Sequence, residues 1–179
     1  MKARLTEILF LLAFNILLPV IFYVPVITPT VAAQVNSTDN NLVKTVQEAS
    51  QNGTDYLRAR ILIKGIELSA EIPTTSELMG KGLAVKDQLK ENEAMFFVFD
   101  KPGKHSFWMK DMNFPIDIIW LDSNDKVVHI EQNLQPCVSV FTCTGYNPDT
   151  DSQYVLETIS GFTQRHNVSV GTDIHFEFS

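Results

Sequence analysis

"HSFWMKDMNFPIDIIWLD", residues 105–122, decides how this chain is read. Two extended runs, 106–110 and 116–121, flank Pro115. In the first, Phe107 and Met109 share one face while Trp108 and Lys110 share the other. In the second, Ile116, Ile118 and Trp120 face one way, and Asp117 lies with Ile119 and Leu121. Asp117 is therefore a carboxylate on an apolar row. Buried without a donor it would be costly, so it must shift its pKa or find a partner. Lys110 is the expected partner. A return through "DMNFPI" sets the two side chains opposite each other on neighbouring strands.

Two readings of this pair stand open. In one, Lys110 or loop N–H groups neutralise Asp117, and the interaction only fixes register. In the other, Trp108 supplies a flat apolar floor while Lys110 and Asp117 orient a ligand.

Outward from this stretch, strands dominate. "DSND" has hairpin-turn chemistry and "KVVHIEQ" is the return strand. Residues 136–151 form a loop, "YVLET" a strand, "ISGFTQRHN" one or two helical turns and "SVGTDIHFEF" a closing strand. Upstream, "YLRARILIKGIELSAEI" reads as two strands broken at Lys64-Gly65, and "AMFFVFD" as a buried strand. Between them Thr74 or Thr75 caps a short helix that Gly80 and Gly82 limit. The fold class expected is α+β, mostly antiparallel: a small barrel-like sheet of about eight strands with two short helices, closed or half-closed so that few edges stay exposed. This single β-rich domain spans residues 56–179.

Residues 34–55 are polar, with Leu42, Val43, Val46 and Ala49 as their few apolar positions. A short amphipathic helix capped by Asp39 or Asn40 is conceivable, but so few apolar groups favour a flexible linker.

Residues 1–33 read as an address. Lys2 and Arg4 precede an apolar run over residues 8–26, and Val31-Ala32-Ala33 offers small residues for cleavage after Ala33. An uncleaved anchor is the rival, since 19 residues span roughly 28 Å of helix. Either one places the domain outside the cytoplasm, secreted or held at the membrane by residues 8–26. Sequons at Asn36, Asn52 and Asn167 agree with that compartment. So do Cys137 and Cys143, which favour a disulfide closing a small loop.

The net charge of −7 becomes −8 without the leader's two cations and one carboxylate. That balance argues against nucleic acid as a partner. No HExxH, paired CxxC or P-loop pattern appears, so neither a metal nor a cofactor is indicated. His105 and His129 are the other titratable candidates, with His166 and His175 behind them; His129, alone on its strand, is more naturally a surface or satisfied group than a ligand.

Taken together these residues resemble the domain of unknown function 192 family, an exported family of bacteria and archaea. The resemblance runs over residues 70–173. It rests on Thr74, Glu77, Gly82 and Leu83, on "MFFVF" and "FWMKDMNFPIDIIWLD", then on "KVVHI", "YVLE" and "VGTD" in that order. Asp111 stands where the family commonly has asparagine. The resemblance implies a compact β-rich fold and an export signal, but no particular reaction. It adds weight to Trp108, Lys110, Asp117 and Glu157.

The function expected is a non-enzymatic binding or interaction module. Its surface would comprise Trp108, Lys110, Asp111, Asp117, Glu157 and the cysteine loop, taking a small polar ligand, a glycan or a peptide. A hydrolase-like enzyme using Asp117 and Glu157 with Lys110 is the alternative, and it requires both carboxyl groups in one cleft. A structural envelope component is the third possibility.

Overall fold

The computed structural model describes residues 41–139, 141 and 143–178. The leader, its cleavage site and the Asn36 sequon lie outside the described residues. Among the described residues, no helix is long and apolar enough to cross a membrane.

The chain opens with α1 (Asn41–Gln51). The polar linker expected here is thus replaced by helix over these residues. Leu42, Val46 and Ala49 recur on one side and are buried, and the first two join the main core cluster. Three well-placed apolar groups sufficed because the sheet offers them a surface to cover.

Strands β1 (Tyr56–Ile63) and β2 (Ile66–Pro73) form an antiparallel hairpin. Its two turn residues, Lys64 and Gly65, have φ of 51° and 79°. Positive φ at both central positions matches the right-handed twist of the flanking strands. A connection then carries α2 (Ser76–Lys81), capped by the Thr75 hydroxyl accepting from the Leu78 N–H, and a 3-10 turn (Gly82–Val85). It delivers β3 (Glu93–Gly103) parallel to β2. All other strand pairs described are antiparallel.

The remaining elements are β4 (Phe107–Trp108), β5 (Ile116–Leu121), β6 (Val127–Leu134), β7 (Gly145–Tyr146), β8 (Ser152–Ile159), α3 (Phe162–Arg165) and β9 (Ile174–Phe178). Seven strands make one sheet in the order β6-β5-β8-β3-β2-β1-β9, and β4 pairs with β7 in a separate ribbon. The fold is α+β and mostly antiparallel, as expected. The sheet is not a closed barrel, but its two outer ends meet. The Val127 N–H donates to the Thr172 carbonyl at 2.9 Å, and the Ile174 N–H to the Asp125 carbonyl at 3.0 Å. Lys126 and Asp173 form an ion pair across the same seam.

Both faces of the sheet are covered. One carries Phe96, Ile119, Leu121, Tyr154 and Leu156, with α1 and Phe162 of α3 packed on it. The other carries Met95, Phe97, Ile118, Trp120 and Val155 beneath Leu83 and the 105–114 segment. This explains why all six residues of β5 are buried without polar alternation.

One expectation fails here. The two segments flanking Pro115 are not neighbours in the sheet. β4 pairs with β7, Phe107 against Tyr146 and Trp108 against Gly145, whereas β5 pairs with β6 and β8. Lys110 makes an isolated parallel bridge with Cys137, and the Cys137 N–H donates to the Met109 carbonyl. The 106–110 segment leaves the sheet to cover its face, which buries Met109 and leaves Trp108 48 % exposed.

Candidate functional site

Asp117 and Glu157 are both fully buried acids on adjacent central strands. In the β5–β8 register Ile118 stands opposite Glu157 and Asp117 opposite Thr158. Directly opposed residues share a face, and successive residues alternate. The two carboxylates therefore point to opposite faces of one sheet. This overturns the hydrolase-like reading, which needed them in one cleft with Lys110.

Asp117 is not held by Lys110. One of its oxygens accepts from the Asn133 N–H at 2.9 Å and the Gly161 N–H at 3.0 Å. The other accepts from the Thr163 N–H at 2.9 Å and the Thr163 hydroxyl at 2.6 Å. Asn133 and Gly161 both have positive φ. Asp117 thus ties the irregular end of β6 to the start of α3. Of the two readings open from the sequence, loop N–H groups satisfy this acid, and it is not among the residues lining the cavity described below.

Glu157 has the opposite environment. Its cross-strand neighbours are Met95 and Ile118, neither of which can donate. It accepts from the Leu83 backbone N–H, but burial prevails and pushes its carboxyl up to about 8. Its Oε2 has no hydrogen-bond partner among the described residues. Gly82, at φ 51°, lies against it: a Cβ there would stand 3.6 Å from Oε2. The backbone of the 3-10 turn thus closes over the acid without capping both oxygens.

Glu157 is part of the lining of a cavity of about 270 Å³, with Oε2 itself buried beneath that lining. Phe97 and Phe107 meet edge to face in its wall, with ring centres 4.9 Å apart. Met79 and Met112 line its sides, and Trp108, Lys81 and Lys110 its mouth. His105 stacks on Phe99 at 3.5 Å, its Nε2 lies 3.1 Å from the Lys101 carbonyl, and its own carbonyl accepts from the Trp120 indole N–H at 2.9 Å. Lys110 pairs with Asp111 and stands 5.9 Å from the centre of the Trp108 ring.

The structure therefore brings together Trp108, Lys110 and Glu157 from the expected set. Asp111 lies on the outer rim beside Lys110, and Asp117 is excluded. None of the described residues of the cysteine loop lines the cavity. Residues 79–83 form that wall instead, a contribution the sequence reading missed although Gly82 and Leu83 were part of the motif it used. The Cys137–Cys143 disulfide is present, with 5.5 Å between Cα atoms. Through its hydrogen bonds to the backbone of Met109 and Asp111, Cys137 holds the strip that carries Trp108 and Lys110.

Comparison with known proteins agrees with this fold. No curated protein matches the chain. Two crystal structures share its architecture with TM-scores of 0.58 at 24% identity. One is of a candidate transcription regulator from Sinorhizobium meliloti 1021, covering 69% of this chain and 93% of that one. The other is of a protein of unknown function from Novosphingobium aromaticivorans DSM 12444, covering 67% and 84%. At this identity the likeness speaks to fold alone. The model of the uncharacterized ACR family, domain of unknown function 192, matches residues 59–176, and the chain belongs to that family.

Proposed function

We propose that this domain is a non-enzymatic binding module whose cavity takes the polar end of a small molecule, a glycan or a peptide. One observation carries the reading: Glu157, a buried acid whose Oε2 has no partner among the described residues, lines a cavity together with a half-exposed tryptophan. A buried acceptor left open is costly, and an incoming donor relieves that cost. Apolar walls with few polar groups are the usual make-up of a ligand site. Perturbed acids also gather at such sites.

The domain works outside the cytoplasm in this reading. Its support is the basic and apolar leader together with the disulfide, which persists in oxidising compartments. Held by residues 8–26 or released after Ala33, it would meet ligands at or beyond the membrane.

The test is a panel of monosaccharides, amines and dipeptides titrated into the protein while its two indole N–H resonances are followed. Trp108 should respond, whereas Trp120, bonded to the His105 carbonyl, should shift less. A panel in which no member moves Trp108, or moves it equally in Glu157→Gln, would remove the reading.

A further inference from the structure

The cavity lining narrows what its occupant can be. Glu157 Oε2 has no hydrogen-bond partner among the described residues. Around it stand four aromatic side chains, Phe97, Phe99, Phe107 and Trp108, and two methionines. Other polar side chains there are largely engaged. Lys81 lies 2.6 Å from Glu77, Lys110 pairs with Asp111, and His105 is bonded to the Lys101 carbonyl. Ser106 remains. A sugar presents several hydroxyl groups, each needing a partner once buried. This site serves one head group well and the rest poorly. The two lysines that could attract an anion are paired with Glu77 and Asp111. A cation gains from both features, the carboxylate directly and the aromatic rings through their negative faces.

Resting on the binding reading above, we propose that the cavity receives an organic ammonium group, which donates to the Glu157 carboxylate within the aromatic lining and carries its uncharged remainder out through the mouth. A wider trough of about 830 Å³ adjoins the cavity, shares Met79, Phe99 and His105 with it, and continues along α1. It offers a path for whatever bears the ammonium. Two sources have this chemistry: the N-terminus of a peptide and a free alkylamine.

The pH behaviour is distinctive. Binding a cation favours ionised Glu157, whose carboxyl is pushed up to about 8, while an alkylammonium keeps its charge to about pH 10. Affinity for an alkylamine should therefore rise roughly ten- to a hundredfold from pH 6 to pH 9, because the competent fraction rises by that factor. The charged or titratable groups facing Glu157 are Lys81, Lys110 and His105, with Glu77 and Asp111 occupying the two lysines. A Glu157→Gln variant separates their contribution, since whatever slope survives it belongs to them.

The experiment follows the methyl resonances of Met79 and Met112 in the full chain, which report on the cavity walls at any pH. The probes are n-butylamine, Ala-Ala-Ala-amide with a free N-terminus, 1-butanol and methyl β-glucoside. The expected result is saturable shifts with the two amines, lost in Glu157→Gln and absent with the two neutral probes. Binding should tighten up to about pH 9 for butylamine and be strongest near pH 8 for the tripeptide, whose α-amino group loses its proton at about pH 8. Tighter binding of the tripeptide identifies a chain terminus as the source, and tighter binding of butylamine a free amine; both support the assignment. Shifts with the neutral probes but not the amines would overturn the ammonium class and leave a binding cavity standing. Amine binding that Glu157→Gln does not weaken would overturn it too. Silence from all four probes would remove both proposals. The pH series uses the unaltered protein, so a variant that failed to fold would not blunt the test.

Discussion

Asp117 and Glu157 occupy neighbouring register positions on neighbouring strands, yet the molecule treats them as opposites. Asp117 accepts four hydrogen bonds from Asn133, Gly161 and Thr163. Glu157 keeps one oxygen unserved in an apolar setting. The strands fix both backbones equally well, so the difference lies in what each face meets. A loop and the first turn of α3 pack over Asp117 and bring their N–H groups. Hydrophobic side chains and a glycine pack over Glu157, and one N–H reaches it. A saturated buried acid organises the fold. An unsaturated one lowers stability, and its most economical explanation is a partner outside the chain.

The largest test of this contrast is Asp117→Ala. Four donors would lose their acceptor inside the protein, which should cost roughly 3–5 kcal/mol and loosen α3 first. Chemical denaturation would measure the loss, and amide exchange at Gly161 and Thr163 its location. An unchanged midpoint would mean that water replaces the carboxylate and that the acid organises nothing.

Glu157→Gln should act in the other direction, and only above mildly acidic pH. The folded protein holds the Glu157 proton up to about pH 8, against 4.5 for the ordinary side chain. Between those values the folded state binds more protons than the unfolded one, so stability falls as pH rises through the window. From pH 5 to pH 8 the wild type should lose on the order of 3 kcal/mol that the glutamine variant keeps. Urea midpoints of the two proteins at pH 5, 6.5 and 8 would decide it. Parallel profiles would show that Glu157 is better served than its surroundings suggest, and the contrast with Asp117 would dissolve.

A smaller effect sharpens the same point. If the acids belong to separate faces, Asp117→Asn and Glu157→Gln should combine additively to within about 0.5 kcal/mol at pH 7. A coupling above about 1 kcal/mol would tie them to a shared network despite the register.

Part of this contrast was legible beforehand. Period-two alternation in "IDIIWL" placed Asp117 with Ile119 and Leu121, and that assignment agrees with the core. The strand content is readable from the runs of β-branched and aromatic residues, while the sheet, expected closed or half-closed, is not a closed barrel. Strand partners are not readable in this way. β4 finds β7 across more than 35 residues, and nothing local in "FW" or "GY" specifies that pairing. Lys110 was therefore matched to the wrong acid. The isolation of Glu157 was equally hidden, because it depends on Met95 and Ile118 arriving from two other strands. α1 failed for a different reason. Its apolar spacing is visible at Leu42, Val46 and Ala49, but the polar composition of the segment points to a linker. Helices this polar hold through tertiary packing, which a single segment does not reveal.

A third acid gives the finest discrimination. Asp111 is exposed, and its carboxylate pairs with Lys110. Its backbone has φ of 59°, a left-handed conformation that aspartate, asparagine and glycine tolerate better than other residues. Aspartate and asparagine both meet that backbone requirement, and only aspartate carries charge. Asp111→Asn should then change stability by less than about 0.5 kcal/mol, whereas Asp111→Ala should cost about 1 kcal/mol. Asp111→Gly is the deciding variant, since it removes the ion pair and relieves the backbone. Thermal denaturation should rank it at or above the alanine variant. If glycine is instead the worst of the three, the Lys110 pair rather than the turn accounts for Asp111, and the rim of the cavity depends on charge in a way its floor does not.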